Sequence, residues 1–241
     1  MPFNFRIKNY TLAMLALCLF ILLISLGSWQ LSRASQKKIL LQTFAARTAQ
    51  APLNIKDLDP KKDQRFYRLS VTGHFDNAHT ILLDNKTFNR QVGYEVYTPF
   101  YPQHSNQPIL VDRGFLPVAN RRTQLPFIDD ILGMVNITGL INKPPAYFAL
   151  GKMLDAPTKR FPLRVEYINI NEVNQLVNQK FRPFVFNLAS DSPYAYPLEW
   201  QIVIMSPEKH LGYAVQWFAL ALTLLVLFAV LNCSTQKHKR G

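Results

Sequence analysis

Four residues near the end of the chain, His210, Tyr213, Ala214 and Trp217, recur at a spacing of 0, 3, 4 and 7, so a helix places all four on one face. Far away in the sequence, Trp29, Gln30 and Arg33 close another apolar stretch. An imidazole can coordinate a metal, an indole can lie against fused rings, and a guanidinium can hold acidic substituents. Brought together, these groups suit a flat apolar ligand with one coordinating atom, as in haem ligation. The same residue types are ordinary anchors at a membrane boundary, and spacing alone leaves both readings standing.

Other chemistry-bearing residues are few. In Asp112-Arg113-Gly114, strand alternation puts Arg113 on the face of Val111 and Phe115, and Asp112 on that of Leu110 and Gly114. One charge then meets an apolar environment and needs a partner. Either Arg113 holds a ligand carboxylate, or it belongs to an internal ion pair with Gly114 permitting a bulge. His74 and His79 lack carboxylates or thiols at metal-ligand spacing and read as a solvated pair. Asp129-Asp130 reads as a loop, since adjacent side chains diverge on a strand. Nine glycines scattered singly offer no dinucleotide fingerprint, phosphate loop or nucleophile elbow, and no enzyme activity is expected. Cys18 and Cys233 lie at the two ends, so the middle of the chain can hold neither a disulfide nor a thiolate metal site. That argues against copper delivery and thiol exchange.

The elements that must position these residues follow from hydropathy. Two uncharged stretches, 10–30 and 211–231, each match the ~30 Å of bilayer hydrocarbon at ~1.5 Å of rise per residue. The first is longer than a signal-peptide core and ends in the interfacial pair Trp29-Gln30, so it reads as an uncleaved span. Basic residues near the spans balance, with Arg6, Lys8, Lys237, Lys239 and Arg240 on the tails against Arg33, Lys37, Lys38, Arg47 and Lys209 on the loop side. Long translocated domains escape that count, and the closing basic run behaves as a cytoplasmic stop. The expected layout is a cytoplasmic tail 1–9, a span 10–30, a periplasmic domain 31–210, a span 211–231 and a basic cytoplasmic tail 232–241. With no Arg-rich, Ser-rich transit segment before the first span, the expected location is a bacterial inner membrane. Tails this short leave no cytoplasmic output domain, which disfavours an anchored sensor.

All fifteen acidic residues and twenty-two of the 27 basic ones fall within 31–210, giving that domain a net charge of +7. The field favours anionic lipid headgroups, an acidic partner face or ligand carboxylates; nucleic acid is not an expected partner outside the cytoplasm. Residues 31–49 lack Pro and Gly and continue the first helix outward as a linker. Period-two alternation begins at 67–75, and strand runs recur at 80–84, 94–100, 109–115, 135–141, 164–170, 184–188 and 199–205. A helix is expected over 171–180 with Asn171 as its N-cap. Together these elements predict a mainly antiparallel β domain, barrel- or sandwich-like, with one or two short helices, between two terminal transmembrane helices.

Four blocks carry a family resemblance. Gly27-Ser28-Trp29-Gln30-Leu31-Ser32-Arg33, Gly93-Tyr94-Glu95-Val96-Tyr97-Thr98-Pro99, Val111-Asp112-Arg113-Gly114-Phe115-Leu116-Pro117 and His210-Leu211-Gly212-Tyr213-Ala214-Val215-Gln216-Trp217-Phe218 appear in the expected order between two spans. The chain resembles the surfeit locus protein 1 family. The resemblance implies an assembly factor for haem-copper cytochrome c oxidase that handles haem a during delivery to the catalytic subunit. Its partners would be that subunit, the haem a synthesis enzyme and membrane lipid. The haem-associated histidine of bacterial members would fall on His210, the haem iron ligand, with a nearby tryptophan falling on Trp217. The remaining signatures fall on Gly27, Trp29, Gln30, Arg33, Gly93, Tyr94, Arg113, Gly114 and Phe115. Tyr213 joins the binding set by its spacing, and Arg33 is assigned to a propionate. A scaffold that steadies an oxidase assembly intermediate without haem is the alternative.

Overall fold

A computed structural model describes residues 4–5, 10–119, 124–147, 153, 160–197 and 202–234. The chain divides into two compact units, one comprising 1–43 with 201–241 and the other Phe44–Trp200.

The first unit holds two long apolar helices, α1 (Tyr10–Thr48), whose last turn lies in the second unit, and α3 (Pro207–Asn232). Both are long and apolar enough to cross a membrane, with a mean hydropathy of 2.4 over their most apolar windows. At ~1.5 Å per residue, the 39 residues of α1 extend about 58 Å, nearly twice a hydrocarbon core, so the helix continues past the span as its Ala-, Gln- and Lys-rich sequence requires. The two-residue strands β1 (Asn4–Phe5) and β9 (Cys233–Ser234) pair antiparallel, with Asn4 opposite Ser234.

The second unit is a barrel of five strands. β2 (Arg68–Phe75) pairs with β6 (Val135–Asn142), β6 with β8 (Val185–Leu188), β8 with β5 (Ile109–Pro117), and β5 with β4 (Gln91–Pro102). The far end of β4 returns to β2, Phe100 opposite Phe75, and closes the ring without an edge. β3 (Ile81–Phe88) and the short β7 (Leu163–Val165) extend from β4 outside the ring. Among the described strands, only β5–β8 and β3–β7 run parallel. Alternation fills the interior with Leu69, Val71, Phe75, Phe100, Ile109, Val111, Ile137, Ile141, Phe186 and Leu188. β2 keeps one wet face, whereas β5 is buried on both. A second layer explains the difference: α2 (Ile170–Val177) places Val173 and Val177 over Ile81, Leu83, Tyr97, Leu110 and Val185.

Three expectations are corrected. The run 164–170 is a strand only as far as Val165, because β3 leaves its register after Leu83, where Asn85 adopts φ 58°, and Glu166 N–H turns to Met153 O instead. The run 199–205 is not a strand in its described part, 202–205, where Ile204 is 94% exposed with no sheet neighbour; 199–201 lie outside the described residues. The short helix is capped by Asn169 rather than Asn171: the Asn169 Oδ1 accepts from Asn171 N and Glu172 N, and Asn178 in the left-handed region ends the helix.

Candidate functional site

In the first unit, α1 and α3 pack antiparallel along one seam. The enclosed or half-buried positions on α1 include 13, 16, 20, 23, 27, 30 and 34, and on α3 they include 207, 210, 214, 217, 221, 224 and 228. These alternate in steps of three and four, the a/d pattern of knobs-into-holes packing. Small residues set the approach distance, since Gly27, Ala34, Ala214 and Ala221 are buried and let the two backbones come close. A methyl group at Gly27 would stand 2.6 Å from Phe218 Cε1, so that glycine seats the ring. At the opposite end, Ala13 and Ala16 leave an apolar cleft of about 220 Å³ facing Leu224 and Phe228. The tight half of the seam is therefore the half that carries His210.

His210 is 8% exposed, and its Nδ1 lies 2.7 Å from Gln30 Oε1. With the Gln30 amide oxygen accepting, Nδ1 is the donor, and in the neutral form of the ring Nε2 carries the lone pair with which imidazoles bind metals. Among the described residues, Nε2 has no hydrogen-bond partner, and it is not one of the fully enclosed orphan atoms, which are Tyr94 Oη, Arg182 Nε and Asn187 Oδ1. Trp217 is half-buried on the same seam, seven residues or about 10 Å along the axis. Tyr213 is 44% exposed, at the edge of the face rather than on the seam. One residue from Gln30 on α1, the exposed Trp29 lies under the guanidinium of Arg33, 5.5 Å from ring centroid to Cζ, and Arg33 also donates to Gln36 Oε1 at 3.0 Å. The structure thus joins His210 to Gln30 and Trp29 to Arg33. It adds Phe218, which sequence reasoning misses although its pairing with a seam glycine follows the same three-four spacing. A neutral imidazole donor, aromatic surfaces and an exposed cation fit a metal-bearing planar ligand with acidic edges.

The β-domain blocks do something different. Arg113 is the extra residue of a β-bulge, since Asp112 opposes Tyr97 and Gly114 opposes Val96 with Arg113 unmatched. Its side chain is 2% exposed and meets no carboxylate among the described residues. It donates instead to Tyr194 O at 3.2 Å, Asp129 O at 3.1 Å and Tyr196 Oη at 3.3 Å, and stacks 4.7 Å over the Tyr196 ring. Among the described residues the guanidinium forms no ion pair and serves as a clamp for backbone. Burial pulls its pKa below the ordinary value, with Tyr196 opposing. Gly114, at φ +114°, makes room for Tyr196: a Cβ would stand 2.3 Å from Tyr196 O. Gly93 lies against Leu116 O and the Phe115 ring, and Tyr94 is fully buried beside Leu82 and Val96, with Tyr196 packed on them. His74 stacks on Tyr101 at 5.4 Å, while His79 Nδ1 meets Asp76 Oδ2 at 2.7 Å, so the two histidines have separate partners.

Asp112, 1% exposed, accepts from Gly114 N at 3.0 Å. Burial pushes its carboxyl well above the usual range and the Glu95 charge adds to this, against the Gly114 N–H. Asn187, its register partner on β8, holds an enclosed Oδ1 with no donor among the described residues. The folded chain therefore keeps a proton that the unfolded chain gives up near pH 4, so this group lowers stability progressively as pH rises from there toward the folded value. Asp112→Asn is expected to gain melting temperature relative to wild type as pH rises above about 5; parallel curves in thermal scans would show that Asp112 is ionised in the fold.

Comparison with known proteins agrees with the order of these blocks. The SURF1 family model matches residues 17–222. A SURF1-like protein of Monosiga brevicollis is 26% identical over 86% of this chain and 82% of its own length. Surfeit locus protein 1 of Xenopus tropicalis is 25% identical over 81% and 67%, and a SURF1-like protein of Rickettsia conorii 25% identical over 88% and 87%. A match that runs from within α1, through the whole barrel, to within α3 takes in the His210 half of the helix seam and the bulge clamp together, and on it the chain belongs to the SURF1 family.

Proposed function

We propose that this chain is a membrane-anchored assembly factor for haem-copper cytochrome c oxidase, which holds haem a at one edge of its helix pair and assists its insertion into the catalytic subunit. It acts in a bacterial inner membrane, with the β domain periplasmic and both termini cytoplasmic. The observation that carries the reading is the His210–Gln30 hydrogen bond, which orients the imidazole and would leave Nε2 to hold the haem iron. Haem a supplies the metal and the macrocycle; the chain supplies orientation. Trp217 would offer a ring to stack on, and Arg33, exposed at the same end of the seam, would pair with a propionate. Gln30 is a positioning residue, holding the ring of His210 without touching the ligand.

The test is co-expression with the haem a synthesis enzymes, purification of the full chain and its visible spectrum. His210→Ala is expected to lose the haem bands, and Gln30→Leu to weaken haem affinity by about 10- to 100-fold, the usual cost of losing a partner behind a metal ligand. Equal haem content in wild type and His210→Ala refutes the ligand assignment. A colourless wild type that still retains the oxidase subunit makes the chain a scaffold instead.

A further inference from the structure

The segment 124–134, between β5 and β6, is irregular yet fixed. Arg113 Nη1 holds Asp129 O at 3.1 Å, Tyr196 Oη accepts from Asp129 N at 2.9 Å, and Asn77 clamps Ile131 from both sides, Nδ2 to Ile131 O at 3.0 Å and Ile131 N to Oδ1 at 3.1 Å. Ile131 is buried in the barrel core and Ile128 packs on the Tyr94 cluster. Between and beside these inward anchors, Phe127 is 84% exposed and Leu132 83%, with Met134 at 53% and the carboxylates of Asp129 and Asp130 also outward. A loop that merely connects two strands has no reason to hold a phenylalanine and a leucine in water on a backbone clamped at three points. Preorganised apolar tips lower the ordering cost of association, the arrangement found in binding anchors.

We propose that Phe127 and Leu132, with Asp129 and Asp130 between them, dock a partner protein whose face has an apolar recess rimmed by lysine or arginine. The two carboxylates select a protein over a bilayer. Apolar side chains that enter anionic membranes are accompanied by cations, and two acidic groups beside the tips would be repelled by such headgroups. Their fixed placement also favours a shaped recess over fluid lipid, and the acidic pair draws in a basic rim during encounter. The blocks Gly93-Tyr94 and Arg113-Gly114-Phe115 thereby serve a common purpose. Tyr94 supports Tyr196 and Ile128, Gly114 admits Tyr196, and Arg113 and Tyr196 hold the loop. This docking is independent of haem.

The experiment places a photo-reactive phenylalanine analogue at position 127 of the full chain, in membranes of cells assembling a haem a oxidase, and maps the crosslinked peptide. The expected result is a crosslink to one protein, at an apolar site flanked by Lys or Arg, that falls at least tenfold in Asp129→Lys/Asp130→Lys and in Leu132→Ser. It persists in His210→Ala, so failure here and failure of haem binding are separately visible. Leu132→Ser changes an exposed side chain and should melt with wild type; the charge reversal also places cations near the buried Arg113 and should melt somewhat lower, so loss of the crosslink in Leu132→Ser separates docking from unfolding. Crosslinks only to lipid, only to a second copy of this chain, or to a protein site unaffected by the charge reversal overturn the proposal.

Discussion

Gly114→Val is expected to destabilise the β domain severely. Two costs fall on one position. At φ +114° an L residue, and a β-branched one most of all, meets its own backbone, at ~1–3 kcal/mol. A Cβ there also stands 2.3 Å from Tyr196 O and 2.8 Å from Tyr196 C, and a backbone segment tied to β5 by Tyr196 N–H to Arg113 O and Phe115 N–H to Pro197 O has nowhere to move. Overpacking of that kind adds ~1–3 kcal/mol, so about 4 kcal/mol is lost from a fold whose whole stability is ~5–15 kcal/mol. In thermal unfolding of the detergent-solubilised chain the expected drop is roughly 8–16 °C, at ~2–4 °C per kcal/mol for a unit of this size, or failure to accumulate at all. Gly114→Ala should lose less than Val, because it shares the clash but lacks the branch. A Val variant melting within a few degrees of wild type would mean that segment 194–197 does not lie against β5.

Hydropathy and alternation make most of this architecture legible. The two apolar helices and the helical linker after the first follow from composition alone, and β2, β4, β5 and β6 follow from period-two runs bounded by Gly, Pro and Asn. Barrel closure is not legible, because it rests on three residues of β4, Phe100 to Pro102, turning back on β2, a pairing between positions some thirty apart that no local pattern encodes. The strand run 164–170 fails for a local reason: Arg164 to Ile170 alternates well enough, but Asn85 on its only described sheet neighbour turns left-handed and withdraws the partner. Asn169 and Asn171 are both competent caps by type, and only the backbone of Asn169, φ −122° and ψ 117°, settles which one starts the helix.

At the candidate site, the pairing of Gln30 with His210 is half visible. Sequence puts both residues at the same depth but includes Tyr213 in the face with Ala214 and Trp217, whereas the seam runs through the last two and leaves Tyr213 at its edge. Steps of three and four through Gly27, Gln30 and Ala34 against His210, Ala214 and Ala221 are the signal for it, since small residues mark where two helices touch in lipid. The display loop leaves almost no trace in sequence. Phe127, Ile128, Ile131 and Leu132 are equally apolar, and only the hydrogen bonds of Asn77, Arg113 and Tyr196 decide which pair turns inward.

Arg113→Met should separate the clamp from the two roles that strand alternation suggests for this arginine. Methionine keeps most of the apolar stem between Phe75 and Tyr196 but removes every donor, so Tyr194 O, Asp129 O and Tyr196 Oη lose a partner in an enclosed place. Unsatisfied buried polar groups cost ~1–3 kcal/mol each, moderated here where the loop can open to water, and a total of about 3 kcal/mol corresponds to a melting temperature roughly 6–12 °C lower. The loss is expected to be local first: amide hydrogens of Asp129 and Ile131 should exchange much faster, while those of β2 and β6 change little. Arg113→Lys keeps the charge but cannot fork to three acceptors, so it should recover only part of the loss. Were Arg113 one half of an ion pair, lysine would restore nearly everything. Were it a ligand's counter-ion, the free chain would gain stability on losing a buried charge, and exchange in 124–134 would stay as in wild type. A clamp predicts the opposite on both counts, and it also predicts that the crosslink from position 127 disappears with Arg113, although that residue lies behind the docking surface and not on it.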